Sequence, residues 1–173
     1  MGTEDSAEVP WLSRDERRAW IAFTTMLMTL PAAVDSQLKR DSGVNYFEYT
    51  IMAGLSDAPE HAMRMSALAE FAAGSMSRLS HAVTRLEKQG WVRRRAVPDE
   101  ARAVEAVLTP EGLEFMRQAA PAHVRHARRL LFDGLTSEQV ATLEELCRTL
   151  VASASDATAA LLDQVIKAPD ENF

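Results

Sequence analysis

MSALAEFAAGSMSRLSHAVTRLEKQGWVRRRAVPDEARAVEAVLTPEG, residues 65–112 of a 173-residue chain, decides how the sequence is read. Placed on a helical wheel at 100° per residue, Met76, Leu79, Val83 and Leu86 fall on one face of a helix over 75–89. Ser77, Arg78, His81, Thr84, Arg85 and Lys88 spread over the opposite face. Ser75 supplies the N-cap and Gly90 the stop. The short segment before it, SALAEFAA, has Ser66 as its expected cap and Gly74 as its expected left-handed C′ residue. Leu68 and Phe71 then join the same small core, and Ala69 lets the two helices cross closely. A helix held rigidly on one face and free on the other is what a helix-turn-helix needs to enter a major groove.

An ordinary amphipathic helix with a solvated charged face would give the same wheel. The next segment of the chain decides between the two. WVRRRAV and VEAVLT flank the polar turn PDEARA and read as a hairpin starting directly behind the helix. Arg102 lies on that narrow tip beside Asp99 and Glu100, whose carboxylates are expected to hold its guanidinium for a minor-groove contact. Arg94 and Arg95 lead into the tip as further candidate DNA contacts. On the helix, arginine suits guanine edges, and serine, threonine and histidine adapt to bases or phosphates. The N-terminus of the helix, at Ser75 and Ser77, favours a phosphate. The candidate DNA-binding set is Ser75, Ser77, Arg78, His81, Arg85, Lys88, Arg94, Arg95 and Arg102.

The overall charge of −6 argues against a nucleic-acid partner until its distribution is considered. Residues 74–104 hold seven basic side chains against three acidic ones, a local +4 that leaves −10 on the rest. Such asymmetry suits a small phosphate-facing surface on an otherwise acidic molecule.

Outside this stretch helix signals dominate. Ser13 with Glu16 forms a capping box opening a helix through Trp20 and Phe23, which Pro31 is expected to kink or end before Asp41-Ser42-Gly43. Asn45 with Glu48 forms a second box. Thr109-Pro110 starts a helix running to about Phe132, and Thr136 with Gln139 opens a last long helix toward Ala168. That last helix carries Val140, Leu143, Cys147, Leu150, Ala154, Ala157 and Leu161 in one apolar stripe, more than a single small winged domain needs. The expected division is a frayed N-terminus at 1–10, dimerisation and linker helices at 11–60, the DNA-binding domain at 61–109, C-terminal dimerisation helices at 110–168 and a frayed tail at 169–173.

The stretch resembles the winged helix of the MarR (multiple antibiotic resistance regulator) family. LAEF before the turn, VTRLEKQGWVRR leaving the recognition helix and LTPEG after the wing carry the likeness, which is close over residues 62–113. The resemblance implies a mainly α fold, with terminal helices of two chains interlocked in a homodimer and a small β-hairpin wing. It implies Ser77, Arg78, His81 and Arg85 facing double-stranded DNA, repression of a pseudo-palindromic operator, and relief by a small aromatic effector. Trp20, Phe23, Tyr46 and Phe47 are the candidate effector contacts, with core packing as their plainer role. Family wings carry an acid followed by two arginines; here the residues are Glu100, Ala101 and Arg102, so the minor-groove role falls to Arg102 alone. The alternative function is a winged helix that has lost DNA binding and acts through protein partners.

Other chemistry has little support. The single Cys147 fits a reducing compartment and, on an apolar stripe, an inert structural role. His123 and His126 lack a third ligand at metal-like spacing, and neither a metal nor another cofactor is expected. Nucleotide-binding, nucleophile-elbow and zinc-hydrolase motifs are missing, so a non-enzymatic role is expected. The acidic first ten residues do not read as a signal peptide, and no apolar run reaches the roughly 20 residues of a membrane span. A cytoplasmic protein is expected.

Overall fold

The computed structural model describes residues 9–97, 100 and 103–167, a mainly helical chain with a small antiparallel sheet. Its contacts separate a first unit up to Ala33 from a second beginning at Val34. Helix α1 (Arg14–Ser42) opens on the expected box, with Ser13 N–H donating to Glu16 Oε2 at 2.7 Å and Glu16 N–H to Ser13 Oγ at 3.3 Å. Pro31 does not end it: the helix runs on through Pro31 to Ser42. A proline removes one donor from the ladder, and here long helical stretches on both sides supply their own bonds. Gly43, at φ +72°, makes the stop.

In the second unit, α2 (Tyr46–Asp57) carries the full Asn45–Glu48 capping box. A three-residue strand, β1 (Ala62–Arg64), leads directly into α3 (Met65–Phe71). The helix therefore begins one residue before the expected Ser66 cap, and its N-cap is Arg64, which makes no side-chain cap bond. The end of α3 differs too. Ala73, not Gly74, holds the left-handed conformation, at φ +47°. Gly74 N–H then donates to Ala69 O at 2.9 Å and Ala73 N–H to Glu70 O at 3.0 Å, a Schellman pattern with Gly74 one position beyond C′. Glycine leaves room there for a ring: a Cβ would lie 2.6 Å from Phe47 Cζ, so that Phe47 would have to shift to admit one. Gly54 on α2 likewise admits Phe71, whose ring would be 2.4 Å from a Cβ. Two glycine–phenylalanine contacts thus set how closely α2 approaches α3 and the turn.

Helix α4 (Met76–Lys88) is capped by Ser75 Oγ, which accepts from Arg78 N–H at 3.2 Å. It ends at Gly90, φ +77°, with Trp91 N–H returning to Leu86 O at 3.1 Å. Strands β2 (Val92–Ala96) and β3 (Val104–Leu108) form the hairpin, and β1 adds to the far side of β3 in the order β1-β3-β2. The sequence does not announce that third strand, because three residues are too few for alternation to register. Leu38, Ile51, Met52, Leu55, Leu68, Leu79, Val83, Leu86, Val92 and Met116 fill the core around α2, α3 and α4.

The LTPEG segment locks the hairpin to the next helix, α5 (Pro110–Ala127). Thr109 Oγ1 donates to Gly90 O at 2.7 Å and accepts from Gly112 N–H at 3.0 Å. Thr109 N–H donates to Trp91 O at 3.0 Å, and the Trp91 and Phe115 rings stack with centroids 4.0 Å apart. After a π-helical turn at Arg128–Phe132 come α6 (Ser137–Ala154) and α7 (Asp156–Lys167). The single last helix expected from the sequence is therefore two. Ser155 is extended, and its Oγ accepts from Thr158 N–H at 3.2 Å, giving α7 a cap of its own.

Candidate nucleic-acid interface

The polar face of α4 lies open. Ser77, Ser80, His81, Thr84 and Lys88 are all exposed, while Leu79, Ala82, Val83 and Leu86 are buried beneath them. Met76, expected on the anchoring face, is instead 50 % exposed at the start of the helix. At the first position of the helix it lies beyond the reach of the core below. Ser77, His81 and Lys88 have no intramolecular side-chain partner among the described residues, which leaves their polar atoms available to an outside ligand.

Two arginines on this helix are not loose. The Arg78 guanidinium stacks on the Phe47 ring, its central carbon 4.0 Å from the ring centroid. Arg85 donates from Nε to Glu48 Oε1 at 2.6 Å. Glu48 is buried, and its other oxygen accepts from Asn45 N–H at 3.0 Å in the α2 cap. Both arginines remain largely solvent-facing beyond these contacts.

The arginines of β2 divide in a way the sequence does not suggest. Arg94 lies across α4: its backbone N–H donates to Glu87 Oε1 at 2.9 Å, and its Nη1 pairs with Glu87 Oε2. Its Nη2 donates to Ser80 O at 2.9 Å and reaches Thr84 Oγ1 at 3.2 Å. Arg95 Nε pairs with Glu105, its cross-strand neighbour, and Nη2 lies 3.7 Å from Glu60. Arg93 is exposed and has no such partner among the described residues. At the hairpin tip, Glu100 takes a forked contact from Arg64 of β1, Nη1 lying 2.7 Å from Oε2. That guanidinium holds the Glu100 carboxyl below the usual carboxylate range. The expected partner of Glu100, Arg102, lies outside the described residues, as does Ala101.

The candidate effector residues are divided between the two units. In the first unit Trp20 is exposed, and its ring lies 6.5 Å from that of Phe23. In the second, Phe47 is half-buried between Gly74 and Arg78 and packs on the core. Tyr46 is exposed, its backbone N–H bonded to Asp35 Oδ1 at 2.9 Å. His123 lies on the Tyr49 ring with Nδ1 3.3 Å from Gln37 Oε1, and among the described residues no three His, Cys, Asp or Glu side chains gather around a metal-sized point. Cys147 is exposed in the single chain. No helix among the described residues is long and apolar enough to cross a membrane.

The fold has counterparts among known proteins. The sequence model of the MarR family matches residues 44–104. The structure is similar to Sco3205, a MarR family transcriptional regulator from Streptomyces coelicolor solved in complex with DNA. The two are 40% identical with a TM-score of 0.80, covering 84% of this chain and 94% of that one. AbsC, a MarR family regulator from the same organism, is 34% identical with a TM-score of 0.78, covering 84% and 98%. The transcriptional repressor MprA of Escherichia coli strain K12 is 24% identical over 117 residues, spanning 68% of this chain and 66% of MprA's own length.

Proposed function

Since the chain belongs to the MarR family, we propose that it is a sequence-specific double-stranded-DNA-binding transcription regulator, acting as a homodimer that represses by occluding a pseudo-palindromic operator. The observation that carries the reading is the open polar face of α4, anchored from below by buried Leu79, Val83 and Leu86. In the proposed complex this helix lies in the major groove, with Ser77, Arg78, His81, Arg85 and Lys88 toward base edges and phosphates and Ser75 at the phosphate-favouring N-terminus. Ser80 and Thr84, exposed on the same face, extend that set. Arg102 is the proposed minor-groove residue of the wing. Arg94 and Arg95 serve chiefly to fix the hairpin, because a phosphate would have to compete with Glu87 and Glu105 for them. The proposed role is binding without a catalysed reaction, in a cytoplasmic protein. A small aromatic effector relieving repression belongs to the same proposal, supported by the family and by the Trp20, Phe23, Tyr46 and Phe47 side chains.

The test is selection of bound duplexes from a randomised pool, then fluorescence anisotropy on the enriched fragment across a salt series. Enrichment of an inverted repeat, with affinity falling steeply as salt rises, is the expected result. Arg102→Ala should weaken binding to that fragment while helicity stays unchanged. A chain that enriches no sequence is an interaction module and not a regulator.

A further inference from the structure

The α4 arginines are held by two adjacent residues of another helix, Phe47 and Glu48 in the first turn of α2. Arg78 and Arg85 are seven residues apart, so they return to the same side of α4 within about 20° and stand about 10 Å apart along it. Each is gripped on one side only. Arg78 offers a planar face to the Phe47 ring, and its guanidinium nitrogens have no partner among the described residues. Arg85 commits Nε to Glu48 and leaves Nη1 and Nη2 without a partner among the described residues.

The grips are themselves anchored. Glu48 is only 7 % exposed and bound through its second oxygen to the Asn45 N–H. Phe47 is wedged against Gly74, where a Cβ would lie 2.6 Å from its ring as placed. The contact that seats α2 against the helix-turn-helix turn is thus the same one that orients Arg78.

We propose that Phe47 and Glu48 are specificity-positioning residues, which touch no DNA and set the direction from which Arg78 and Arg85 meet the bases. The inference rests on the DNA-binding function proposed for α4. Arginine is long and flexible, and ordering it on binding costs affinity unless it is ordered beforehand. A bidentate contact to guanine needs the guanidinium plane aligned with the base edge. A buried carboxylate on Nε fixes that plane while leaving the two Nη groups for recognition. The phenyl face does the same for Arg78 by stacking.

The experiment uses the full-length chain and the duplex it enriches, with single-base-pair variants and a scrambled duplex of the same length. Glu48→Gln keeps the volume and the cap acceptor and removes the charge. It should reduce discrimination at the base pair read by Arg85 by about three- to tenfold, leave affinity for the scrambled duplex within about twofold, and have no further effect in an Arg85→Ala background. Phe47→Leu keeps an apolar wedge under Gly74 and removes the ring. It should reduce discrimination at a different base pair, and lose that effect in an Arg78→Ala background. Should Glu48→Gln fail to fold by circular dichroism, the Phe47→Leu pair of measurements decides. Wild-type discrimination in both variants overturns the proposal, and so does an equal loss on specific and scrambled duplexes or an effect persisting without the arginine. If the wild-type chain enriches nothing, it is the DNA-binding function itself that fails.

Discussion

Gly112 and Gly134 are chemically identical and should respond oppositely to the same substitution. Alanine raises helix propensity over glycine by about 1 kcal/mol, which would favour it in the first turn of α5. At Gly112, however, a Cβ would stand 2.2 Å from Trp91 O and 2.8 Å from Leu108 Cδ1. The carbonyl cannot retreat cheaply, because Thr109 N–H is bonded to it. Overpacking against backbone costs about 1–3 kcal/mol or more, so the clash wins. Gly112→Ala is expected to lose about that much in urea unfolding at fixed protein concentration, whereas Gly134→Ala, with nothing within 4 Å, should be neutral or slightly stabilising. His123 gives a pH-dependent case. Burial is the main cause, and nearby His126 the second, that lowers its pKa from the ordinary 6.5. The unfolded chain therefore takes up this proton at a higher pH than the folded one does. Stability should fall as pH drops through 6.5, and level off for this group once pH is below its folded pKa. In urea titrations from slightly alkaline to mildly acidic pH, His123→Gln should flatten that slope; an unchanged slope would assign it to other groups.

Between elements, the attachment of β2 to α4 rests on Arg94, which satisfies Glu87, the Ser80 carbonyl and the Thr84 hydroxyl together. Removing it leaves a half-buried carboxylate without its cation. Arg94→Ala should cost about 1–3 kcal/mol, and lysine should restore only part, since one ammonium cannot span three acceptors in a plane. Hydrogen exchange reads the effect locally: the Arg94 amide, bonded to Glu87 Oε1, should lose protection before the α4 core does. Partnerships of this kind mark the limit of what is legible in the sequence. Local signals are readable because cause and effect lie within four residues, as in the Asn45–Glu48 and Thr136–Gln139 boxes and the Ser75 cap. Gly74 is legible as a turn residue but not for its actual reason, since its requirement comes from Phe47, far off in the chain. Strand β1 is too short to show a period, and it moves the start of α3 off Ser66. The Ser155 cap is hidden in an otherwise continuous helical pattern. The site is legible as a set of residue types on a face. Which arginines are already engaged is not, because Glu48 and Glu100 lie 37 and 36 residues from Arg85 and Arg64.

At the scale of the whole molecule, α6 is an anomaly in a single chain. It spans 18 residues and buries none of them, while Leu146 and Leu150 stand 56 % and 49 % exposed beside Cys147. Leaving large apolar side chains in water forgoes about 1.5–3 kcal/mol each relative to full burial, and a second copy of the same stripe would recover it. In the proposed dimer, two recognition helices meet half-sites roughly 34–36 Å apart, and binding of the second is favoured by its tether to the first. Leu150→Arg places an unpaired charge in that seam, where desolvation outweighs any packing by the aliphatic stem. The variant should sediment as a monomer at concentrations where the parent chain is dimeric. Because the buried core around α2, α3 and α4 does not include Leu150, its helicity should persist. Its affinity for a full inverted repeat should then fall by about 10²–10⁴, toward that for a half-site, without a matching loss on the half-site itself. A variant still dimeric by sedimentation would remove α6 from the interface; a monomer that binds the full repeat as tightly as the parent would instead show that the two recognition helices act independently.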